Sequence, residues 1–337
     1  MKKILILGGT QFIGRNLVER LIGMGEFDIT LFNRQETQID LFPKIKKIKG
    51  DRETEDINQI AKENWDFVID VSCYYPNWIR DTLKYLNVNL EKYILVSTCS
   101  VYDNDSNPST LKDEQAEILA CNSRQRVDKT VETYGNRKAE CERILQNSEV
   151  NYLILRPSLV YGKYDHTDRF YYWLYQIKHN EVLLLPDNGE RQLSLTYVHD
   201  LIDSIVETLS NNIQNDIYNV VSTSKTNIKE IVQYGIEVLN SKNQLVNAEP
   251  EFLKKNKVSQ WFDMPLWIDS DFFTFNNQKY INAFEFKPTR FKESIKETIE
   301  YYEGLGWVKP KCGMTEKMKV ELLDKITKKT TANNGYS

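Results

Sequence analysis

A doubly wound α/β fold on a parallel sheet, with a smaller C-terminal α/β substrate domain attached, is what this sequence predicts. Three observations carry the prediction. Short, continuous apolar runs bounded by polar turns recur through the first half of the chain, the pattern of strands buried on both faces. Segments of helical period separate them, as βαβ units require. A length of 337 residues exceeds one ordinary domain. The expected boundaries are 1–162 for the sheet domain, with 193–223 contributing to it, 163–327 for the smaller domain, and 328–337 as a polar, disordered tail.

The first strand is Lys3-Ile4-Leu5-Ile6-Leu7. It stops at Gly8-Gly9-Thr10-Gln11-Phe12-Ile13-Gly14, and residues 16–23 then read as a helix with Leu17, Val18, Leu21 and Ile22 on its apolar side. A buried strand, a glycine turn and a helix open a dinucleotide-binding βαβ unit of Rossmann type. A diphosphate needs backbone N–H groups and the positive end of a helix, and glycine lets the backbone come close. Gly8, Thr10, Gln11, Phe12, Ile13 and Gly14 are therefore candidate cofactor contacts, with Gln11 standing where a middle glycine is usual.

Residues 28–32 form the second strand, which ends in Asn33-Arg34. An acid just past this strand would bind the 2′-hydroxyl of NAD, whereas an arginine accommodates the 2′-phosphate of NADP. The acid is missing and Arg34 is present, which favours NADP over NAD; the competing reading is a solvated loop charge. A third strand, 45–48, leads to Gly50-Asp51-Arg52. Asp51 either accepts from the adenine amino group or simply turns the chain. Residues 58–64 read as a helix. Phe67-Val68-Ile69-Asp70-Val71 is a fourth strand that runs into Ser72, Cys73 and the aromatics Tyr74 and Tyr75, at the strand end where ligands sit in such sheets. A helix is expected over 78–86.

The fifth strand, 93–96, runs into Ser97-Thr98-Cys99-Ser100-Val101-Tyr102, a cluster of hydroxyls that is otherwise an ordinary turn. After a polar insertion over 103–130, a helix over 131–146 carries Tyr134 and Lys138. Positions four apart share a helix face, so phenol and ammonium can reach one ligand. A neighbouring cation favours phenolate and makes a tyrosine usable as acid or base near neutral pH. Residues 152–157 are the sixth strand, ending in Arg156-Pro157. The aromatic run 170–173 reads as core or lid packing, 193–200 as a strand entering a helix, and 217–221 as a further strand of the main sheet. Helices at 228–239, 291–302 and 315–325, with the segment 247–280, complete the smaller domain.

Hydrophobic residues at 41% and charged residues at 27% describe an ordinary soluble protein. A net charge of -4 argues against a nucleic-acid partner. No apolar run approaches the roughly 20 residues that span a bilayer. Met1-Lys2-Lys3 leads straight into a strand, with no signal peptide in view. The five cysteines are scattered, without metal-ligand or disulfide spacing, so no metal is expected and a reducing cytoplasm is.

Taken together these residues resemble the extended short-chain dehydrogenase/reductase family, the NAD-dependent epimerase/dehydratase group. The match rests on the turn Gly8 to Gly14, on Ser97-Thr98 with Val101-Tyr102, on Tyr134-x-x-x-Lys138, on Arg156-Pro157-x-x-Val160-Tyr161-Gly162, and more loosely on Tyr197-Val198-His199-Asp200. Phe32-Asn33-Arg34, Gly50-Asp51-Arg52, Asp70-Val71-Ser72 and Asp168-Arg169-Phe170 are similar to an atypical bacterial branch of it. The chloroplast stem-loop-binding proteins look like distant relatives. The resemblance implies that Tyr134 is the catalytic acid/base, that Lys138 holds the nicotinamide ribose and lowers the tyrosine pKa, and that Thr98 bonds the reacting oxygen. Pro157 would flank the nicotinamide, and Asn33, Arg34, Asp51, Arg52, Val71, Ser72 and Ser97 would complete the cofactor contacts.

Candidate substrate contacts are Ser100, His166, Asp168, Arg169, Arg191 and Tyr197; Arg191 sits where relatives bind a phosphate, or is a surface charge. The implied activity is NAD(P)-dependent oxidoreductase or epimerase chemistry on a small hydroxyl or carbonyl substrate, nucleotide sugars included. Cys99-Ser100 stand where the family's dehydratases carry Asp-Glu, which argues against dehydration. A homodimer through the Tyr134 helix follows by resemblance. The alternative is a non-catalytic NAD(P)-binding protein, regulatory or RNA-associated.

Overall fold

The computed structural model describes residues 1–87, 89–105 and 108–334. From the N-terminus the chain forms β1 (Lys2–Leu7), α1 (Phe12–Met24), β2 (Phe27–Asn33), β3 (Lys46–Lys49), β4 (Phe67–Asp70), α2 (Pro76–Lys84), β5 (Lys92–Val96), α3 (Tyr134–Gln146), β6 (Tyr152–Pro157) and β7 (Leu159–Tyr161). Then come α4 (Arg169–His179), β8 (Val182–Pro186), β9 (Leu193–Tyr197), α5 (Val198–Ser210), β10 (Asp216–Val220) and β11 (Thr223–Thr226). The rest is α6 (Ile228–Leu239), β12 (Gln244–Ala248), α7 (Pro250–Lys255), α8 (Gln278–Phe284), α9 (Phe291–Gly304) and α10 (Glu316–Asn334).

Two compact units emerge. The first comprises Met1–Val160, Leu195–Ser222 and Phe275–Pro288, and the second Tyr161–Ser194, Thr223–Thr274 and Thr289–Ser337. The segment 275–288, expected in the smaller domain, thus returns to the first unit. Phe275 pairs with Lys112 and stacks on Tyr102 at 5.3 Å, and Tyr280 lies edge-on to Tyr218 of β10.

A seven-stranded parallel sheet in the order β10-β6-β5-β4-β1-β2-β3 forms the first unit. The strands are continuous apolar runs because helices cover both faces: Ile4, Leu5, Ile6 and Leu7 are all fully buried. Strand order reverses at β1, with β2 on one side and β4 on the other. That reversal leaves a crevice beyond the C-terminal ends of β1 and β4.

In the second unit β8 and β12 pair in parallel. Gly235 of α6 meets the Ile177 side chain of α4 so closely that a Cβ there would lie 2.5 Å away. The aromatic run is core: Phe170, Tyr171, Tyr172 and Trp173 are buried, Tyr161 stacks on Phe170 at 4.0 Å and Tyr171 on Tyr302 at 3.6 Å.

Several boundaries differ from the sequence expectation. The first helix starts at Phe12, directly after Gln11, and the helix after the insertion starts at Tyr134 rather than 131. A 3-10 helix over Glu55–Lys62 stands in place of the helix expected at 58–64. Residues 328–334, expected as tail, continue α10, and 335–337 lie outside the described residues, as do Ser106 and Asn107 of the polar insertion. No described helix is long and apolar enough to cross a membrane.

Candidate active site

The first unit gathers its candidate residues where β6, β5, β4 and β1 end side by side. β1 runs into Gly8 and Gly9, whose φ values of 114° and 102° favour glycine. A Cβ at Gly14 would lie 2.6 Å from the Gly9 nitrogen and 2.7 Å from its Cα, so α1 can rest on the turn only without a side chain there. Gln11 precedes the helix and makes no capping bond, and the first turn of α1 holds no acid. Nothing negative in that turn competes for the positive end of the helix, so a diphosphate fits this cradle. Gly14→Ala should cost about 1–3 kcal/mol of stability, the usual range for overpacking, and weaken dinucleotide binding. Thermal unfolding and a dinucleotide titration check both; an unchanged titration would remove Gly14 from the site.

Val71 and Ser72 close the other wall. The Ser72 hydroxyl donates to the Leu7 carbonyl at 3.0 Å, and a Cβ at Gly8 would lie 2.8 Å from a Val71 methyl. Past β2, Asn33 turns inward. Its Nδ2 donates to the Gly8 carbonyl at 3.2 Å and its Oδ1 accepts from the Gln35 N–H at 3.0 Å. Arg34 is exposed and pairs with Glu36 at 3.3 Å. Sequence reasoning missed Arg15, in the first turns of α1, which donates to Gln38 at 3.1 Å and so borders the same loop; its spacing from the glycines was the available signal.

Arg52 was expected at the cofactor, but its guanidinium turns into the core. It makes a two-pronged pair with Asp70, 2.8 Å on each side, and donates to Thr82 Oγ1 at 3.0 Å. Tyr93 donates its hydroxyl to the same carboxylate at 2.7 Å. Burial disfavours the Arg52 charge, but Asp70 outweighs it and the arginine pKa rises. Asp51, beside it, bonds its own turn, accepting from the Glu53 N–H at 2.9 Å.

β5 delivers Ser97, Thr98 and Ser100. Thr98 Oγ1 accepts from the Ser100 N–H at 3.1 Å and lies 3.2 Å from its hydroxyl. The Ser97 hydroxyl, a candidate cofactor contact, instead donates to buried Glu142. Tyr134 opens α3, and its ring centroid lies 6.3 Å from that of Tyr74. Lys138, one turn on, is buried and donates to two backbone carbonyls, Cys73 and Val96, each at 2.9 Å. Burial pushes its pKa down, but the Tyr134 phenol and the Cys73 and Cys141 thiols outweigh that, so it lies above the ordinary value. The ammonium is held between the end of β5 and the loop after β4, with one of its three protons left to give. Gly135 is a second residue sequence reasoning passed over: a Cβ there would lie 2.2 Å from the Ser100 carbonyl oxygen. Pro157 ends β6 in register with Val220.

The candidate substrate residues divide between the units. Ser100 and Tyr197 belong to the first, where the Tyr197 hydroxyl lies 3.1 Å from His199 Nδ1. His166, Asp168, Arg169 and Arg191 belong to the second. Asp168 has a structural task there. Its φ of 58° places it in a left-handed turn before α4, and its carboxylate accepts from the Lys311 N–H at 2.9 Å. Arg191 pairs with Asp187 at 2.8 Å and Asp269 at 2.7 Å. Arg169 donates to Thr167 at 3.3 Å and sits over the Trp261 ring, while His166 is exposed.

Comparison with known proteins gives the family and the fold. Residues 4–221 match the model of the NAD dependent epimerase/dehydratase family. The chain is 29% identical over 235 residues to the chloroplast stem-loop binding protein of 41 kDa b from Arabidopsis thaliana, covering 65% of this chain and 58% of that protein. It is 26% identical over 174 residues to a UDP-glucose 4-epimerase from Neisseria meningitidis serogroup C, covering 44% and 48%. The chain thus spans about half the length of these two relatives. A UDP-glucose 4-epimerase structure from Thermotoga maritima shares the fold at TM-score 0.68 and 16% identity, over 90% of this chain and 99% of that one. So does a dTDP-glucose 4,6-dehydratase from Bacillus anthracis in complex with NAD, at TM-score 0.68 and 17% identity, over 90% and 97%. With nearly two thirds of its length matched by the family model, the chain belongs to the NAD-dependent epimerase/dehydratase family.

Proposed function

We propose that this chain is an NAD(P)-dependent oxidoreductase or epimerase acting on a secondary alcohol or the corresponding carbonyl. One observation carries the reading: Tyr134 and Lys138 share a face of α3, and Lys138 is anchored by the Val96 carbonyl that ends β5 and the Cys73 carbonyl in the loop after β4. Gly8, Thr10, Gln11, Phe12, Ile13 and Gly14 would hold the diphosphate, Val71, Ser72 and Pro157 would line the path to the nicotinamide, and Lys138 would bind its ribose. The dinucleotide, when bound, supplies or accepts the hydride. The chain's own part is the proton. The Tyr134 phenol oxygen gives it to the substrate oxygen in reduction and, deprotonated, takes it in oxidation, and Thr98 orients that oxygen.

NADP is the favoured cofactor. Arg34 and Arg15 both border the loop after β2, and Asn33 occupies the place of an acid that would repel a 2′-phosphate. The pair of Arg34 with Glu36 is a surface pair of little strength, readily given up to a phosphate. Arg34→Asp should lower NADPH affinity by about tenfold or more while sparing NADH, in keeping with the loss of a charge-assisted bond. Competitive titrations check it; an unchanged NADPH affinity would assign NAD instead.

Reductase or epimerase chemistry fits Cys99 and Ser100 better than dehydration does, because neither supplies the acid and base that expel water. A nucleotide sugar would have to compete with Asp187 and Asp269 for Arg191, so a small substrate without a diphosphate is the better match. A homodimer through α3 and a cytoplasmic setting complete the reading.

The test has two parts: analysis of the purified protein for retained dinucleotide, and a panel of secondary alcohols, ketones, free sugars and nucleotide sugars followed by nicotinamide absorbance. Turnover of an alcohol or ketone with exchangeable NADPH is the expected result. Tightly retained NAD would point to an epimerase. The similarity to a stem-loop binding protein favours a second reading, a dinucleotide-binding protein that is RNA-associated or regulatory. Dinucleotide binding without turnover of any panel member, together with RNA binding, would select it.

A further inference from the structure

The stripe of α3 that carries Tyr134 and Lys138 continues, one turn further, to Glu142. A fully buried carboxylate needs partners, and this one has them on both neighbouring strands. It accepts from the Ser97 hydroxyl at the end of β5. It also accepts from Arg156 at the end of β6, with Nε 3.1 Å from both oxygens and Nη2 2.5 Å from Oε2. Arg156 in turn donates to the Tyr102 hydroxyl at 3.0 Å, which donates to Asn219 of β10 at 2.6 Å. The Cys99 thiol donates to the Arg156 carbonyl at 3.2 Å. Both neighbours of Thr98 are therefore tied, Ser97 to Glu142 and Cys99 to Arg156. Arg156 itself directly precedes Pro157.

We propose that Glu142 is a positioning residue that fixes Thr98 and Pro157 against the Tyr134–Lys138 face of α3, so that the nicotinamide half of the cofactor meets a preformed surface. The inference rests on the dinucleotide reading above. Glu142 touches neither cofactor nor substrate in this account; it acts through Ser97 and Arg156. Lys138 on the Val96 carbonyl and Gly135 against the Ser100 carbonyl hold the same loop from the same helix, so α3 grips residues 96–100 at three successive turns. Directional bonds are needed because apolar contacts alone leave a loop free to slide by fractions of an ångström, and misplacement on that scale weakens a site markedly.

The test separates the two halves of the cofactor. Affinity is measured for NADPH or NADH, whichever binds more tightly, and for the matching ADP-ribose fragment (2′-phosphorylated for NADPH), which keeps the diphosphate and lacks the nicotinamide. In Glu142→Gln the fragment should bind within about twofold of the parent, while the extra affinity due to nicotinamide falls about tenfold or more. Breaking one side of a buried pair can unfold a protein, so a double variant, Glu142→Leu with Arg156→Met, replaces the pair by apolar side chains of similar volume. That variant should fold and show the same selective loss. A folded double variant that keeps the full nicotinamide contribution would overturn the proposal, whatever its stability. A parent protein that fails to bind the fragment would overturn the dinucleotide reading itself, and the positioning role with it.

Discussion

Tyr134→Phe should bind dinucleotide within about twofold of the parent and lose turnover by roughly 10²–10⁴-fold, the usual contribution of a positioned acid or base. The variant deletes one hydroxyl and leaves the ring that sits 6.3 Å from Tyr74. Lys138 stays where it is, because its position depends on the Cys73 and Val96 carbonyls and not on the phenol. The site therefore keeps its shape while losing its proton carrier, which separates chemistry from binding. Steady-state rates on the alcohol or ketone found by the panel, together with a titration, check both halves. Undiminished turnover would remove Tyr134 from the mechanism. Lys138 will not limit activity at neutral pH. Its native pKa is raised above 10.5, so its contribution to stability is complete below that value and is lost only as pH rises through the higher native one.

The second large effect falls on stability. Arg52→Met should cost about 3–5 kcal/mol, because it leaves Asp70 buried with its charge unmatched. Asp70 is fully buried, and two of its hydrogen bonds come from the guanidinium. The Tyr93 hydroxyl and the Ser72 N–H remain, but they cannot replace a full positive charge. Burial and the nearby carboxylate both raise the Tyr93 pKa, which keeps that hydroxyl a donor. Urea denaturation reads the loss directly. Adding Asp70→Leu to Arg52→Met should restore most of it, since an apolar pair carries no desolvation cost. A single variant within about 1 kcal/mol of the parent would mean that the pair is solvated, contrary to its burial here.

The strand, glycine turn and helix that open the chain were readable in the sequence because their signals are local. A continuous apolar run, two glycines and a third glycine at the helix start need no tertiary information, and Gly8, Gly9 and Gly14 take up the conformations and close contacts that this order implies. The further strand of the main sheet, expected at 217–221 and present as β10, was also readable from its short apolar run. The return of 275–288 was not, because its place is set by Phe275 stacking on Tyr102 and by Tyr280 meeting Tyr218, contacts far apart in sequence.

Arginines were the hardest side chains to place. Arg34, Arg52, Arg156 and Arg191 look alike in a sequence, yet one is exposed, two are buried on carboxylates and one bridges two aspartates. What separates them is the acid that tertiary structure brings to each, such as Asp70, 18 residues beyond Arg52. Asp168 has a structural task that the sequence does not show. A left-handed turn that bonds the Lys311 backbone leaves no trace in residue type, since an aspartate reads equally well as ligand or as turn. The anchors of Lys138 were invisible because they are backbone carbonyls, which every sequence possesses.

The central claim is that the turn from Gly8 to Gly14 and the face of α3 bearing Tyr134 and Lys138 form one dinucleotide site. Its most direct test is calorimetric titration of the intact protein with NADPH and with NADH. Saturable binding of one dinucleotide per chain, tighter for NADPH and weakened in Gly14→Ala, is the predicted result; a folded protein that binds neither dinucleotide would contradict it.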